Sequence, residues 1–330
     1  MAKYTSIGGQ ALIEGIMMKN PQKKTALAVR KPDKTIDISF INDKSIKDKF
    51  PILKLPVLRG VVTYIETMIQ GYKAMMKSAD ISGFTDLEED KPKDPKKESA
   101  LTAVVMTIGS VLGIALAVVL FMGVPRYAVA GIEWLIGTPF SKIVRSGIEQ
   151  LIKLAVLVVY MWGISFMKDI HRVFAYHGAE HKTIFCYEAG LPLTVENVKK
   201  QSRFHPRCGT SFLILMILVS MIVSTVVQMI FPSVYDIPWL WIIAKILMLP
   251  VICGLGYELL KLCGKYDNVI TRIISAPGMW LQRITTKEPE DDMIEIAIAA
   301  LKACDEIADE LAVESTEQTT EEDTQNDDNI

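Results

Sequence analysis

Residues 211–231 read SFLILMILVSMIVSTVVQMIF, a run of 21 residues without an Asp, Glu, Lys or Arg. A helix needs about 20 mainly apolar residues to cross the hydrocarbon core of a bilayer, with roughly 17 as the lower limit. Stretch 211–231 reaches that length. Leu101–Gly123 and Trp239–Leu262 reach it too, and Leu151–Met167 meets the lower limit. Four such windows in one chain predict a mainly α membrane protein with about four transmembrane helices, rather than four buried core helices. Composition agrees. Half of the 330 residues are hydrophobic and 22% are charged, which is too apolar for an ordinary soluble chain unless the apolar residues are blocked together. Met1–Gln10 has no apolar core of the kind a cleaved secretory leader carries.

The blocks divide the chain. Residues 1–84 read as a small α+β cytosolic N-terminal part. Residues 85–100 read as a charged, Pro-containing linker. The membrane domain covers 101–262 and encloses a polar, histidine-rich segment, 168–210. A C-terminal helical part follows at 263–312, then a disordered acidic tail at 313–330. In the N-terminal part, Gly8-Gly9 reads as an interruption of regular structure. Thr25–Arg30 and Thr35–Phe40 alternate apolar and polar residues about the turn Lys31–Lys34. That pattern predicts a β-hairpin with Leu27 and Val29, then Ile36, Ile38 and Phe40, each on one face. From Val57 to Met76 the apolar residues follow helical spacing, with Arg59, Lys73 and Lys77 among them. Such a helix either lies along the membrane surface or packs on its own domain. Ala276-Pro277-Gly278 predicts a turn, and Glu288–Asp292 a helix start, with the helix running to about Ala312.

Lys and Arg set the orientation. Four lysines (Lys91, Lys93, Lys96, Lys97) precede the first window. Segment 124–150 has three basic residues, segment 168–210 has seven, and 232–238 has none. Three (Lys261, Lys265, Arg272) follow the last window. This alternation places both termini and the histidine segment in the cytosol of a bacterial cell membrane, with Trp239 and Trp241 at the outer interface. Net charge is −2, but the last 17 residues hold seven acids and no base, so the remainder is about +5 (−2 minus −7). That balance suits an anionic lipid surface. The lipid bilayer is the expected partner. A homo-oligomer is left open, and no substrate or protein partner is identified. No basic, aromatic-interleaved patch points to nucleic acid. P-loop, dinucleotide-fold and nucleophile-elbow motifs are absent from the sequence. Five scattered cysteines fit a reduced compartment better than a disulfide framework.

All four histidines fall within His171–His205. His177-Gly178-Ala179-Glu180-His181 is H-x-x-E-H. On a helix, positions i and i+4 share a face, so His177 and His181 can reach one metal ion, and Glu180 lies beside that face as a base for a water activated by the metal. Catalytic zinc commonly keeps three protein ligands and an open position. His205 is the first choice for the third ligand, and it is followed by Pro206, Arg207 and then Cys208. Cys208 itself and Glu258, which lies 77 residues after His181, are the alternatives. Glu188, seven residues beyond His181, is a further candidate. With both His205 and Cys208 the set becomes a closed, four-ligand structural site. His171 points away from the 177/181 face and reads as a supporting residue, and Cys186 is not read as a ligand. Lys245 is an ionisable residue inside an apolar window, and such a residue marks a functional position or snorkels to the interface.

The stretches GGQALIEGIMMKN, YHGAEHKTIFCYEAG, FHPRCGTSF and PGMWLQRITTKEP, with Tyr257-Glu258, resemble the YqhQ family. This is a bacterial family of multi-pass membrane proteins with no established activity, sometimes labelled metal-dependent enzymes. The resemblance implies a membrane location and favours a metal, and it supplies no substrate. The reading that results is a membrane protein with a divalent metal site, zinc foremost, on its cytosolic face, acting as a metal-dependent hydrolase. The alternatives are a non-enzymatic scaffold or assembly factor with a structural zinc, and a transporter.

Overall fold

The computed structural model describes residues 7–20, 24–42, 45–84, 108–109, 111–206, 208–266 and 268–305. The charged linker, the start of the first apolar window, the end of the C-terminal helix and the acidic tail lie outside the described residues. The described residues are mostly helical, with one small antiparallel sheet among them.

The sheet has four strands in sequence order: β1 (Gly8–Leu12), β2 (Gly15–Lys19), β3 (Lys24–Arg30) and β4 (Ile36–Asn42). The expected hairpin is β3–β4, paired from Lys24↔Asn42 to Arg30↔Ile36. Its turn closes through Lys34 N–H to the Lys31 carbonyl (2.9 Å), with the Asp33 carboxylate accepting from Thr35 N–H (2.9 Å). Strands β1 and β2 correct the reading of Gly8-Gly9 as an interruption, since both glycines are paired to β2. Their two-residue turn, Ile13-Glu14, carries no Asn-Gly signal. Glu14 instead takes a left-handed φ of 51°, and its carboxylate is gripped by Arg172 (2.5 and 2.6 Å) and by Tyr176 (3.1 Å). A tertiary contact therefore stabilises a turn that local sequence does not favour.

Both faces of β2 and β3 are covered, so these two strands are buried almost throughout, while the edge strand β4 alternates polar and apolar residues. Ile16, Met18, Ala26 and Ala28 pack against helix α4 (Lys168–Glu188) and against a C-terminal helix spanning 291–305. Leu12, Met17, Leu27 and Val29 pack against helix α1 (Leu58–Ile81). Each fully buried Ile, Leu or Met there is worth about 1.5–3 kcal/mol. Ile38 and Phe40 share one face of the edge strand, beyond this cover, and are exposed.

Among the described residues, four helices are long and apolar enough to cross a membrane: α2 (Val111–Ile136), α3 (Lys142–Ile164), α5 (Gly209–Ile230) and α6 (Pro238–Lys265). Two differ from the windows. Helix α2 continues past Gly123, and α3 starts nine residues before Leu151, so the expected link 124–150 shrinks to 137–141. Pro125 lacks the N–H that would bond the Phe121 carbonyl, and the helix passes it through a π turn over Val119–Gly123. Arg126 and Arg145, counted as link charges, lie inside helices. Trp241, assigned to the outer interface, is buried against α5. Helix α7 (Val269–Thr285) runs straight through Ala276-Pro277-Gly278, where a turn was expected. A mid-helix Pro costs about 3 kcal/mol. The Asn268–Thr271 capping box and the burial of Gly278, Leu281, Gln282 and Thr285 outweigh it.

Helix α1 joins the sheet to the spans. Its first turn crosses α6, where Gly60 meets Gly254 and Tyr257, and Gly254 meets Val57. Arg59 closes the crossing with a two-pronged ion pair to Glu258 (2.5 and 2.6 Å). A methyl at Gly254 would strike the Val57 backbone carbonyl. Gly254→Ala is expected to lower stability by roughly 1–3 kcal/mol, the range for overpacking, read as a lower melting temperature in detergent. An unchanged melt would show that α1 can leave α6 freely.

Candidate metal centre

Helix α4 lies at the end of the bundle where α3 ends and α5 begins. It carries His177, Glu180, His181 and Glu188. Segment 200–206 returns over it, and Cys208 is the N-cap of α5. The end of α7 closes the third side. Gly178 makes this possible, because the backbone of Lys287 passes directly over it and Lys287 N–H donates to the Phe174 carbonyl (2.8 Å).

The ligating atoms of His177, His181 and Cys208 all lie within 4.8 Å of one another. Each imidazole gives its Nδ1–H to a backbone carbonyl: His177 to Thr285 (2.9 Å) and His181 to Arg203 (2.6 Å). A carbonyl only accepts, so both rings are held in the tautomer whose Nε2 carries a lone pair. His177 Nε2 sits 3.1 Å from Cys208 Sγ, and His181 also hydrogen-bonds Cys208. Backbone carbonyls holding the far nitrogen of each histidine are the usual support of a metal-ligating imidazole. Four-coordinate zinc would set its N and S donors roughly 3.3–3.6 Å apart. The donor set fits a soft-to-borderline divalent ion. Burial holds His181 below its ordinary pKa, helped by neighbouring His177 and opposed by Cys208. The ring is thus neutral and able to donate its lone pair.

Glu180 is buried on the side facing β1. Desolvation lifts its carboxyl to about 7, against the opposing pull of His177 and of a hydrogen bond from Gly9 N–H. Gly9 is required there. A Cβ at that position would stand 2.9 Å from Glu180 Oε1 and 2.8 Å from the Met17 carbonyl. The strand that sequence reading missed is therefore the wall over the candidate base.

The remaining candidates separate. His205 is buried, with its ring 5.5 Å from that of His181, but its Nε2 is turned toward Glu188 (3.9 Å). Its backbone is held both ways by Gln282 (2.7 and 2.8 Å). His205 and Glu188 thus form a second layer beside the three-atom cluster. Glu258 is engaged by Arg59 and is not brought to the histidines. His171 is exposed on the first turn of α4, and Cys186 packs in the apolar core. Sequence reading missed Thr285, Arg203, Gln282 and Gly9. The first two act through backbone carbonyls, which leave no trace in side-chain identity.

A family model described as a protein of unknown function (DUF1385) matches residues 55–306. The chain is 35% identical over 294 residues to the uncharacterized protein YqhQ of Bacillus subtilis (strain 168), covering 88% of this chain and 89% of that protein. No solved structure matches. With the four apolar helices and the histidine segment inside the matched 55–306, the chain belongs to the DUF1385 family of proteins of unknown function.

Proposed function

We propose that the protein is a membrane-embedded metal-dependent hydrolase whose zinc ion is held by His177, His181 and Cys208 at the cytosolic membrane face. One observation carries this reading. Both imidazoles spend Nδ1 on backbone carbonyls and direct Nε2 to the same thiol. Three ligands leave a position for substrate or water. When bound, zinc supplies Lewis acidity. Glu180 takes a proton from the attacking water and returns it to the leaving group, a task suited to a carboxyl poised near neutral pH. Gly9 N–H orients that carboxylate. Orientation toward the cytosol is supported by the basic residues of 168–210 and their absence from 232–238.

A second reading rests on His205, whose ring lies close enough to join as a fourth ligand after a side-chain rotation. The site would then be closed and structural. Elemental analysis of detergent-purified protein separates these readings. One zinc per chain, lost in His177→Ala/His181→Ala and kept in His205→Ala, is the expected result. Zinc kept in Glu180→Gln, with turnover of a p-nitrophenyl ester panel lost, identifies the base. No metal in any form after incubation with zinc, manganese and iron sinks both readings. Loss of zinc in His205→Ala replaces the open site with the closed one.

A further inference from the structure

The spans carry a polar cluster that the metal centre does not use. Arg145 on α3 ties Glu133 of α2 (3.2 Å) to Glu149 one turn further along α3 (3.7 Å). Lys153, one turn beyond Glu149, lies within electrostatic reach of Lys245 on α6, and both lysines are within reach of Glu149. Lys245 also stands 5.5 Å over the ring of Trp241. Two ammonium groups thus share one carboxylate that an arginine already holds. Lys245 is seven residues into α6, about 10 Å below its end. Unbalanced charge at such depth is expensive, and such residues mark substrate or ion positions.

A second observation points to the same place. Ser224 and Gln228 lie one turn apart on α5 and are only 1% and 3% exposed. Ile214, Ile217 and Leu218 of that helix pack toward α3, while Val219, Val223 and Val227 pack toward α6. Helical spacing therefore sets Ser224 and Gln228 between α3 and α6, on the side of the lysines. Among the described residues, the Ser224 hydroxyl and both polar atoms of the Gln228 amide have no hydrogen-bond partner, and neither has Gln150 Oε1 on the facing stripe of α3. Buried amides and hydroxyls are normally satisfied, and each orphan costs about 1–3 kcal/mol. The Ser224 hydroxyl and the Gln228 amide N–H are donors without acceptors, and together with two cations sharing one anion they describe a site that lacks an anionic ligand. The Gln228 and Gln150 amide oxygens are acceptors, which an ammonium group or a ligand hydroxyl can satisfy.

We propose that Lys153, Lys245, Ser224 and Gln228 form an intramembrane binding site for an anionic phosphate group. Lysine is a point-charge phosphate binder, and the Gln228 amide and Ser224 hydroxyl supply neutral donors. The group comes either from an anionic lipid headgroup drawn in from the leaflet or from free phosphate. This site is independent of the zinc reading, since none of its residues touches the histidine cluster.

Native mass spectrometry of the full chain in detergent tests it, with phosphatidylglycerol, phosphatidylcholine and inorganic phosphate as probes. Phosphatidylglycerol retained at least tenfold over phosphatidylcholine, and lost in Lys153→Gln/Lys245→Gln, establishes a lipid source. Retention of inorganic phosphate, lost in the same variant, establishes a soluble one. Glu149→Gln removes the competing carboxylate and is expected to tighten the probe severalfold, which a purely structural role for the cluster would not do. Gln228→Leu, which leaves the charges in place, is expected to weaken it severalfold and serves if the double variant does not fold. Zinc content and melting temperature verify folding. Equal retention of all probes by wild type, or weakening in Glu149→Gln, overturns the proposal.

Discussion

Metal-free Glu180→Gln is expected to melt higher than the parent protein at pH 8 and no higher at pH 4. Burial lifts the Glu180 carboxyl from its ordinary 4.5 to about 7. The folded protein therefore keeps this proton where the unfolded chain has lost it. Between about pH 4.5 and 7 the folded state binds more protons, so stability falls as pH rises through that window and stays lowered above it. A tenfold change in proton affinity is worth about 1.4 kcal/mol, so the penalty at pH 8 is about 3 kcal/mol. Glutamine is neutral at every pH and removes it. Zinc at His177, His181 and Cys208 would favour the carboxylate and flatten the dependence. Thermal melts of both proteins across pH 4–8, with and without zinc, measure all of this. Superimposable profiles for parent and variant would mean that Glu180 is already solvated, and would remove its case as a base tuned by burial.

Gly178→Ala is expected to lose zinc and to destabilise the protein by about 2 kcal/mol. Two effects oppose here. Helix propensity alone favours alanine by about 1 kcal/mol. Packing opposes it, because the new Cβ would fall on the carbonyl oxygen of Lys287. That atom is backbone, tied to Phe174 by its own N–H at 2.8 Å, so it cannot swing aside as a flexible side chain can. Overpacking against such a neighbour sits at the upper end of the usual 1–3 kcal/mol. Relief requires residues 286–290 to move away from α4. That motion pulls on Thr285, whose carbonyl holds the His177 ring, so zinc affinity drops by more than tenfold. The measurements are melting temperature and zinc per chain. A stabilised variant that keeps its zinc would show that propensity wins and that the α7–α4 contact is loose.

What could be read in advance depended on how far apart the cause and the effect lie along the chain. The four spans were legible from runs such as 211–231, because bilayer crossing is a property of length and apolarity. The β3–β4 hairpin was legible from alternation about Lys31–Lys34. The pairing of His177 with His181 followed from helical periodicity alone. Readings failed where a local rule met a tertiary contact. Gly8-Gly9 looks like an interruption, yet β1 needs glycine because Glu180 stands against Gly9. Ala276-Pro277-Gly278 looks like a turn, yet packing carries the helix through it. Glu258 looks available near the C-terminal end of its span, and Arg59, 199 residues away, holds it.

The sequence by itself determined the membrane-spanning class, the polar island between spans, and two imidazoles on one helical face, because each is written in residue types at short spacing. Only the tertiary structure decided which third side chain stands with those imidazoles. Cys208 reaches His177 across 31 residues, while His205, only three positions earlier, turns toward Glu188. That choice depends on where segment 200–206 crosses α4 and on the Thr285 and Arg203 carbonyls that fix the rings. Backbone groups are the same in every residue, so their placement comes from packing and not from composition.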